Sequence, residues 1–422
     1  MAVEIEMAMA TAMAQDVLAV LPARAHDLAR LRILARRAAP PSITVVGKYN
    51  HGKSRLLNEL MGSDIFAVAD RRETVALAEH RQQQARWLDA PGLDADVARN
   101  DDDHSHRAIW LESDIRLFVH AAKEGELDAA ERDLLQELRA DQQRTLRQTI
   151  FVLTQVDQLS DDAHVDRVVA AIRAQSPEIT LHLVSATRHR QGTEQGKQLL
   201  IQKSGIPALK ESLSVAMAKV PPAREHEANL LFADIRNELL NLQTAEESRM
   251  QALGDLQQCQ LRAFDEGLAT VLDKVRNDLQ PVLEVSGTDP ALVPDSFENM
   301  FKLTAGKRER AHIQIAYSRA CIAINAHLVR HGVVGLPMEQ QTSVRSLDTV
   351  MVAVMGVSVK YRDDLRRIFC EPEGRARLQQ DFGRYFELSE DRVTLAGQLA
   401  DGAIRLAEIA KALAALERLE RP

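Results

Sequence analysis

The stretch "SITVVGKYNHGKSRLLNELMG", residues 42–62, decides the fold. An apolar, β-branched run reaches Gly47, four residues later come Gly52, Lys53 and Ser54, and a helical apolar pattern follows. Strand, glycine loop and helix at this spacing form a phosphate-binding loop. Its backbone N–H groups, from Gly47 through His51 and Gly52 to Arg55, converge with the helix N-terminus on phosphate oxygens. Lys53 is expected to reach the outer phosphates and stabilise charge during reaction, while Ser54 ligates magnesium. Tyr49 and His51 are expected at the loop surface, and Asn50 between them is the member that calls for explanation.

Further pieces follow in the order such a site needs. "WLDAPG" ends a strand pattern at Asp89, whose carboxylate can hold magnesium through water, and places the Gly92 N–H to feel a γ-phosphate. Thr74, in "RRETVAL", is a switch threonine expected to ligate magnesium only when the γ-phosphate is there, and so to take part in catalysis. "LTQVD" brings Thr154, Gln155 and Asp157 to the end of another strand, and "LVSAT" brings Ser185 and Ala186 to the end of the next. A carboxylate at Asp157 can accept from both the N1–H and the exocyclic amine of guanine, a pair that adenine does not offer. Backbone N–H groups near Ala186 then face the guanine O6. The expected nucleotide is GTP, with GDP as its product and Mg2+ as cofactor.

Around these motifs the chain divides into three blocks. Residues 1–40 are rich in Ala and Leu at helical spacing and stop at "AAPPS", where proline ends a helix. An N-terminal helix packed on its neighbour is expected rather than a membrane anchor. Residues 41–222 alternate short β-rich runs with helical stretches, the signature of a mostly parallel sheet with helices on both faces. Residues 223–422 lose the strands. There Leu261, Phe264, Leu268, Val271, Leu272, Val275 and Leu279 recur at three and four, which predicts an all-α helical bundle or stalk with one long helix or a hairpin over 225–283. Further helices are expected over 294–330, 341–369 and 372–419.

The set "GKYNHGKS", Thr74, "DAPG", "TQVD" and "SAT" resembles the Era-like and dynamin-like GTPases of the translation-factor class, across residues 42–220. "RLLNELMG" and "ESDIRLFVHAAKEGELDAAERDLLQEL" are similar to the bacterial dynamin-like pattern, as is a helical half after the GTPase domain. The resemblance implies GTP hydrolysis with a slow intrinsic rate, raised by pairing into a homodimer or higher oligomer. It also implies one of two partners: a membrane engaged peripherally by a self-assembling stalk, or, for an Era-like switch, a protein or ribonucleoprotein. The family places lysine where Gln155 stands, and Ras-like enzymes keep a water-positioning glutamine where Leu93 follows "DAPG". Somewhat weaker binding with retained guanine preference follows from the first departure, and a different means of positioning water from the second. In the potassium-activated branch an asparagine at the place of Asn50 coordinates a monovalent cation beside the phosphates. Asn50 therefore admits two roles, K+ ligand or a residue that hydrogen-bonds its own loop.

Composition narrows the alternatives. Aromatics at 4% disfavour a stacking platform for single strands, and a net charge of −8 disfavours a nucleic-acid coat, so no DNA partner is expected. Three scattered cysteines and an N-terminus carrying Glu4 and Glu6 suit a cytoplasmic protein. In "NDDDHSHRAIW", residues 100–110, a mobile switch loop is expected over a metal site. "TVMVAVMGVSV", residues 349–359, is expected to fill a bundle core before it serves as a membrane tip, with "GVVGLP", residues 332–337, as a second tip. "KRERAH" and "KYRDDLRR" are expected to be solvated helix faces.

Overall fold

The computed structural model describes residues 2–36, 38–66, 78–82, 84–89, 106–177, 179–294, 296–337, 347–356 and 358–421. Thr74, Gly92, Leu93 and residues 100–105 lie outside the described residues. The chain forms two compact units, residues 1–240 with 411–422, and residues 241–410.

Among the described residues of the first unit, six strands form one sheet in the order β2-β3-β1-β4-β5-β6. They are β1 (Ser42–Val46), β2 (Ala78–Gln82), β3 (Ala85–Asp89), β4 (Ile115–Ala121), β5 (Gln148–Thr154) and β6 (Leu181–Leu183). All neighbours run parallel except the hairpin β2–β3. β1 and β4 are buried along their whole length, as strands covered on both faces should be. One apolar cluster joins Ile43, Val45, Leu117 and Val119 to Leu56, Leu209 and Leu213; a second joins Val46, Phe118 and Leu153 to Leu135, Leu138 and Ile172. A sheet with a core on each face is the doubly covered architecture that the β-rich alternation predicts.

The N-terminal block is two helices, α1 (Ala2–Val20) and α2 (Ala25–Leu34), parted by a tight turn at Pro22–Arg24. Pro22 cannot donate to the preceding turn, which explains the break within a pattern that reads as continuous. Val17, Leu21, Leu28 and Leu31 pack with Leu231, Ile235, Leu239, Ala412 and Leu416. Below the sheet lies a buried charge network. Arg30 donates to Glu227 through Nε (2.9 Å) and Nη2 (2.8 Å) and approaches Asp114 (3.3 Å). Arg224 donates to both oxygens of Asp114 (3.0 and 2.5 Å), and Asp114 also accepts from the Ser42 N–H (2.8 Å).

The second unit is helical. Its residues come from Val220–Leu283 and Glu390–Glu420, each of which also contributes to the first unit, and from Ala305–Arg330, Leu347–Met355 and Pro372–Glu387. The 225–283 stretch is one helix without a hairpin. Phe264, Leu268, Leu272, Val275 and Leu279 are buried in the core as their spacing predicts, whereas Leu261 is exposed. The expected helix 294–330 begins only at Ala305. The expected helix 341–369, whose residues 341–346 lie outside the described residues, breaks after Met355, and the expected helix 372–419 breaks between Glu387 and Glu390. Val350, Met351 and Val359 are buried in this core, as is Val333 of the second tip candidate.

His327 ties two helices together by donating from Nε2 to the Phe264 carbonyl (3.0 Å) beside the stacked rings of Phe264 and Phe386. Its ring centroid is 4.5 Å from that of His331. Burial pushes both imidazoles below their ordinary value, and the neighbouring His331 and Arg330 push His327 the same way. Below about pH 6.5 the unfolded chain binds more protons than the folded one, so stability falls as pH is lowered. Urea unfolding of this unit is expected to move to lower midpoints between pH 7.5 and 5.5, and His327→Asn to flatten that slope. A midpoint independent of pH in the parent chain contradicts the assignment.

Candidate nucleotide site

The phosphate loop leaves the carboxyl end of β1, the strand flanked by β3 on one side and β4 on the other. Ligands of open parallel sheets bind at the carboxyl ends of strands where the order reverses. Gly47 is required by space: a Cβ there would lie 2.2 Å from the Val119 carbonyl oxygen. The helix Lys53–Met61 begins directly after Gly52, so its N-terminal N–H groups open onto the loop. Lys53 Nζ curls over that loop and donates to the carbonyls of Gly47 (3.0 Å) and Lys48 (2.9 Å).

Beside it, Ser54 Oγ donates to Asp89 Oδ2 at 2.6 Å. Burial raises the Asp89 carboxyl above its ordinary value, opposed by the Ser54 hydrogen bond and the Lys53 charge. Asp89 Oδ1 is buried without a hydrogen-bond partner. A hydroxyl and a carboxylate with one unsatisfied oxygen, next to a lysine and a helix N-terminus, form an oxygen donor set that fits magnesium. The fold thus brings Lys53, Ser54 and Asp89 together at the ends of β1 and β3.

The residues expected to face guanine sit at the ends of β5 and β6. Thr154 closes β5 and its hydroxyl lies 2.6 Å from the His51 carbonyl. Gln155 is in left-handed backbone (φ 57) and donates from Nε2 to the Asn50 carbonyl at 2.7 Å. The side chain that replaces the family lysine thus fastens the turn at the end of β5 to the phosphate loop. Asp157 follows in a short turn, half-buried. Ser185 is fully buried and caps the helix Ala186–Glu194 by accepting from the Arg188 N–H at 3.0 Å, which leaves Ala186 at that helix's first position. Asn50 is exposed at φ 59, a left-handed conformation that asparagine tolerates, and Arg55 is half-buried on the helix face.

One expectation is overturned. His51 is 4% exposed instead of at the loop surface, because the interior offers it polar partners. Its Nδ1 lies 3.4 Å from the Val119 carbonyl and 3.5 Å from Glu131 Oε1, and its ring meets His120 edge-on at 5.1 Å. His120 Nδ1 donates to Glu131 Oε1 at 2.8 Å. Burial holds the His51 imidazole below its ordinary value, helped by His120 and Lys53. Burial alone would raise the Glu131 carboxyl, yet His120 holds it below the usual range. Glu131 also closes a capping box with Asp128 at the start of Ala129–Thr145. Its sequence signal, "DAAE", was visible; its partnership with His51 was not.

Comparison with known proteins agrees with this geometry. A profile of the family described as 50S ribosome-binding GTPase matches residues 42–155. An uncharacterized protein of Acinetobacter baylyi is 55% identical over 404 residues, covering 96% of this chain and 96% of its own length. The chain belongs to that protein's family. Its sheet domain is a P-loop GTPase domain. GTPase Der of Streptococcus mutans is 35% identical to this chain over 100 residues, 22% of this chain and 23% of Der. Among solved structures, Era of Aquifex aeolicus bound to GDP and aluminium fluoride is 24% identical with a TM-score of 0.30, covering 38% of this chain and 55% of that one. Toc33 of Arabidopsis thaliana with GDP and Mg2+ is 16% identical with a TM-score of 0.32, over 47% of this chain and 92% of Toc33. The chain spans about half the length of that Era structure.

Proposed function

We propose that the protein hydrolyses GTP to GDP and phosphate and passes its nucleotide state to the helical region. The observation that carries this is the convergence of Lys53, the Ser54–Asp89 pair and the Gln155–Asp157 turn at the carboxyl ends of β1, β3 and β5. Asp157 would select guanine, with Thr154, Ser185 and Ala186 shaping the base pocket. The loop amides of Gly47–Gly52 and the charge of Lys53 would stabilise the phosphoryl group as charge develops. Magnesium, when bound by Ser54 and Asp89, would supply further charge neutralisation on the phosphates. Thr74 and Gly92 take the switch roles that their motifs imply.

Of the partners the family offers, we favour a membrane surface, engaged peripherally by a self-assembling protein, over a protein or ribonucleoprotein. The likeness of residues 112–138 and of the helical half after the sheet domain to the bacterial dynamin-like pattern is what favours it. Among the described residues no helix is long and apolar enough to cross a membrane, so contact at the surface is the mode considered.

The test is phosphate release from GTP per molecule as protein concentration rises, in potassium and in sodium buffer. Turnover is expected to be slow, to need magnesium, and to climb with concentration as copies pair. A requirement for potassium assigns Asn50 to a cation; equal rates in both salts assign it to the loop. No magnesium-dependent release at any concentration removes the hydrolytic proposal.

A further inference from the structure

We propose that residues 290–303 form a membrane-contacting loop that seats on an anionic lipid surface. The proposal rests on the membrane reading above and names the element that would make the contact. Within this segment Leu292, Val293, Phe297, Met300, Phe301 and Leu303 are all exposed, Phe297 at 87%, Phe301 at 96% and Leu303 at 70%. The chain has only ten phenylalanines. Single exposed apolar residues are ordinary on a soluble surface, but six within twelve positions, two of them almost bare aromatic rings, are not.

The loop is built rather than slack. Ala291 is buried in the helical core, and Asp289 caps the turn Pro290–Leu292 by accepting from the Ala291 N–H (2.9 Å). Arg310 Nη1 donates to the carbonyls of Ala291 and Val293, both at 3.1 Å. Lys307 Nζ donates to the carbonyls of Met300 (2.5 Å) and Lys302 (3.0 Å). Gly306 lets the backbone close in, since a Cβ there would meet the Pro290 carbonyl at 2.8 Å. Arg362 braces the base by donating to the Val282 carbonyl (2.6 Å) and pairing with Asp289 and Glu309. Lys307 and Arg310 of "KRERAH", expected to be a solvated face, thus hold carbonyls of this loop.

Charge selects the occupant. The chain is acidic as a whole, yet residues 290–310 carry Lys302, Lys307, Arg308 and Arg310 against Asp295, Glu298 and Glu309. Lys302, between Phe301 and Leu303, and Arg308 are exposed. Exposed apolar side chains with interleaved cations match the acyl boundary and headgroups of an anionic bilayer. A long lysine stem can lie along the apolar layer while its ammonium stays at the headgroups.

The test is co-sedimentation of the full chain with vesicles of phosphatidylcholine alone and with added phosphatidylserine. Binding is expected to be at least tenfold stronger with phosphatidylserine and to fall at least tenfold in the Phe297→Ser/Phe301→Ser variant. Both substituted rings are solvent-exposed, so circular dichroism and basal GTP turnover are expected to match the parent. Parent-level vesicle binding by the double variant overturns the loop assignment while leaving the membrane reading intact. Failure of the parent to bind vesicles of either composition overturns both. If the double variant instead dissolves a dimer seen by light scattering and the parent ignores lipid, the loop joins two copies and the lipid assignment falls.

Discussion

Replacing Lys53 by alanine is expected to lower GTP turnover by about 100-fold or more, with the thermal midpoint little changed. The ammonium sits against the loop carbonyls of Gly47 and Lys48, within reach of the space that outer phosphates would fill. Removing it takes away the positive charge aimed at the developing phosphoryl charge while leaving the fold-defining contacts of β1 and the following helix. Fluorescent GDP should still bind, more weakly, because the amides and the turn at Gln155 remain. Phosphate release within threefold of the parent would show that the activity belongs to a contaminant or to another site.

Asp114→Ala is expected to destabilise the sheet-bearing unit by about 3–5 kcal/mol in urea unfolding. Asp114 accepts from Ser42, Arg30 and Arg224, all of them buried. Alanine leaves two guanidinium groups short of a counter-charge in a low-dielectric interior, and leaves the first N–H of β1 without its acceptor. Arg30 keeps Glu227, and Arg224 keeps the Ala39 carbonyl at 2.8 Å, which limits the loss. Asp114→Asn retains an acceptor for Ser42 and is expected to lose less. A change under 1 kcal/mol in the alanine variant would mean that water reaches this network and screens it.

The fold was legible wherever one local rule decided the outcome. The spacing from Gly47 to Ser54 dictated strand, loop and helix, and the ladder from Phe264 to Leu279 dictated a buried helix face. The pairing of Ser54 with Asp89 was legible because each motif fixes its own place at a strand end. His51 was misplaced because its environment is assembled from His120 and Glu131, far along the chain, and local pattern carries no such information. The bare loop at residues 290–303 was missed for a related reason. Its apolar residues are interspersed with polar ones, so the denser runs at 332–337 and 349–359 drew attention although their valines Val333, Val350 and Val359 are core. The carbonyl-holding roles of Lys307 and Arg310 were likewise invisible in a charge run.

The bond from Gln155 to the Asn50 carbonyl, with Thr154 lying against the His51 carbonyl, has a consequence for how nucleotide leaves. The segment facing the base and the segment facing the phosphates are knitted into one piece, so neither can open by itself. Release of GDP would then disturb both segments together. An exchange factor would need to grip just one side: displacing the Gln155 amide would slacken the pyrophosphate grip from a distance, without any contact to the phosphates.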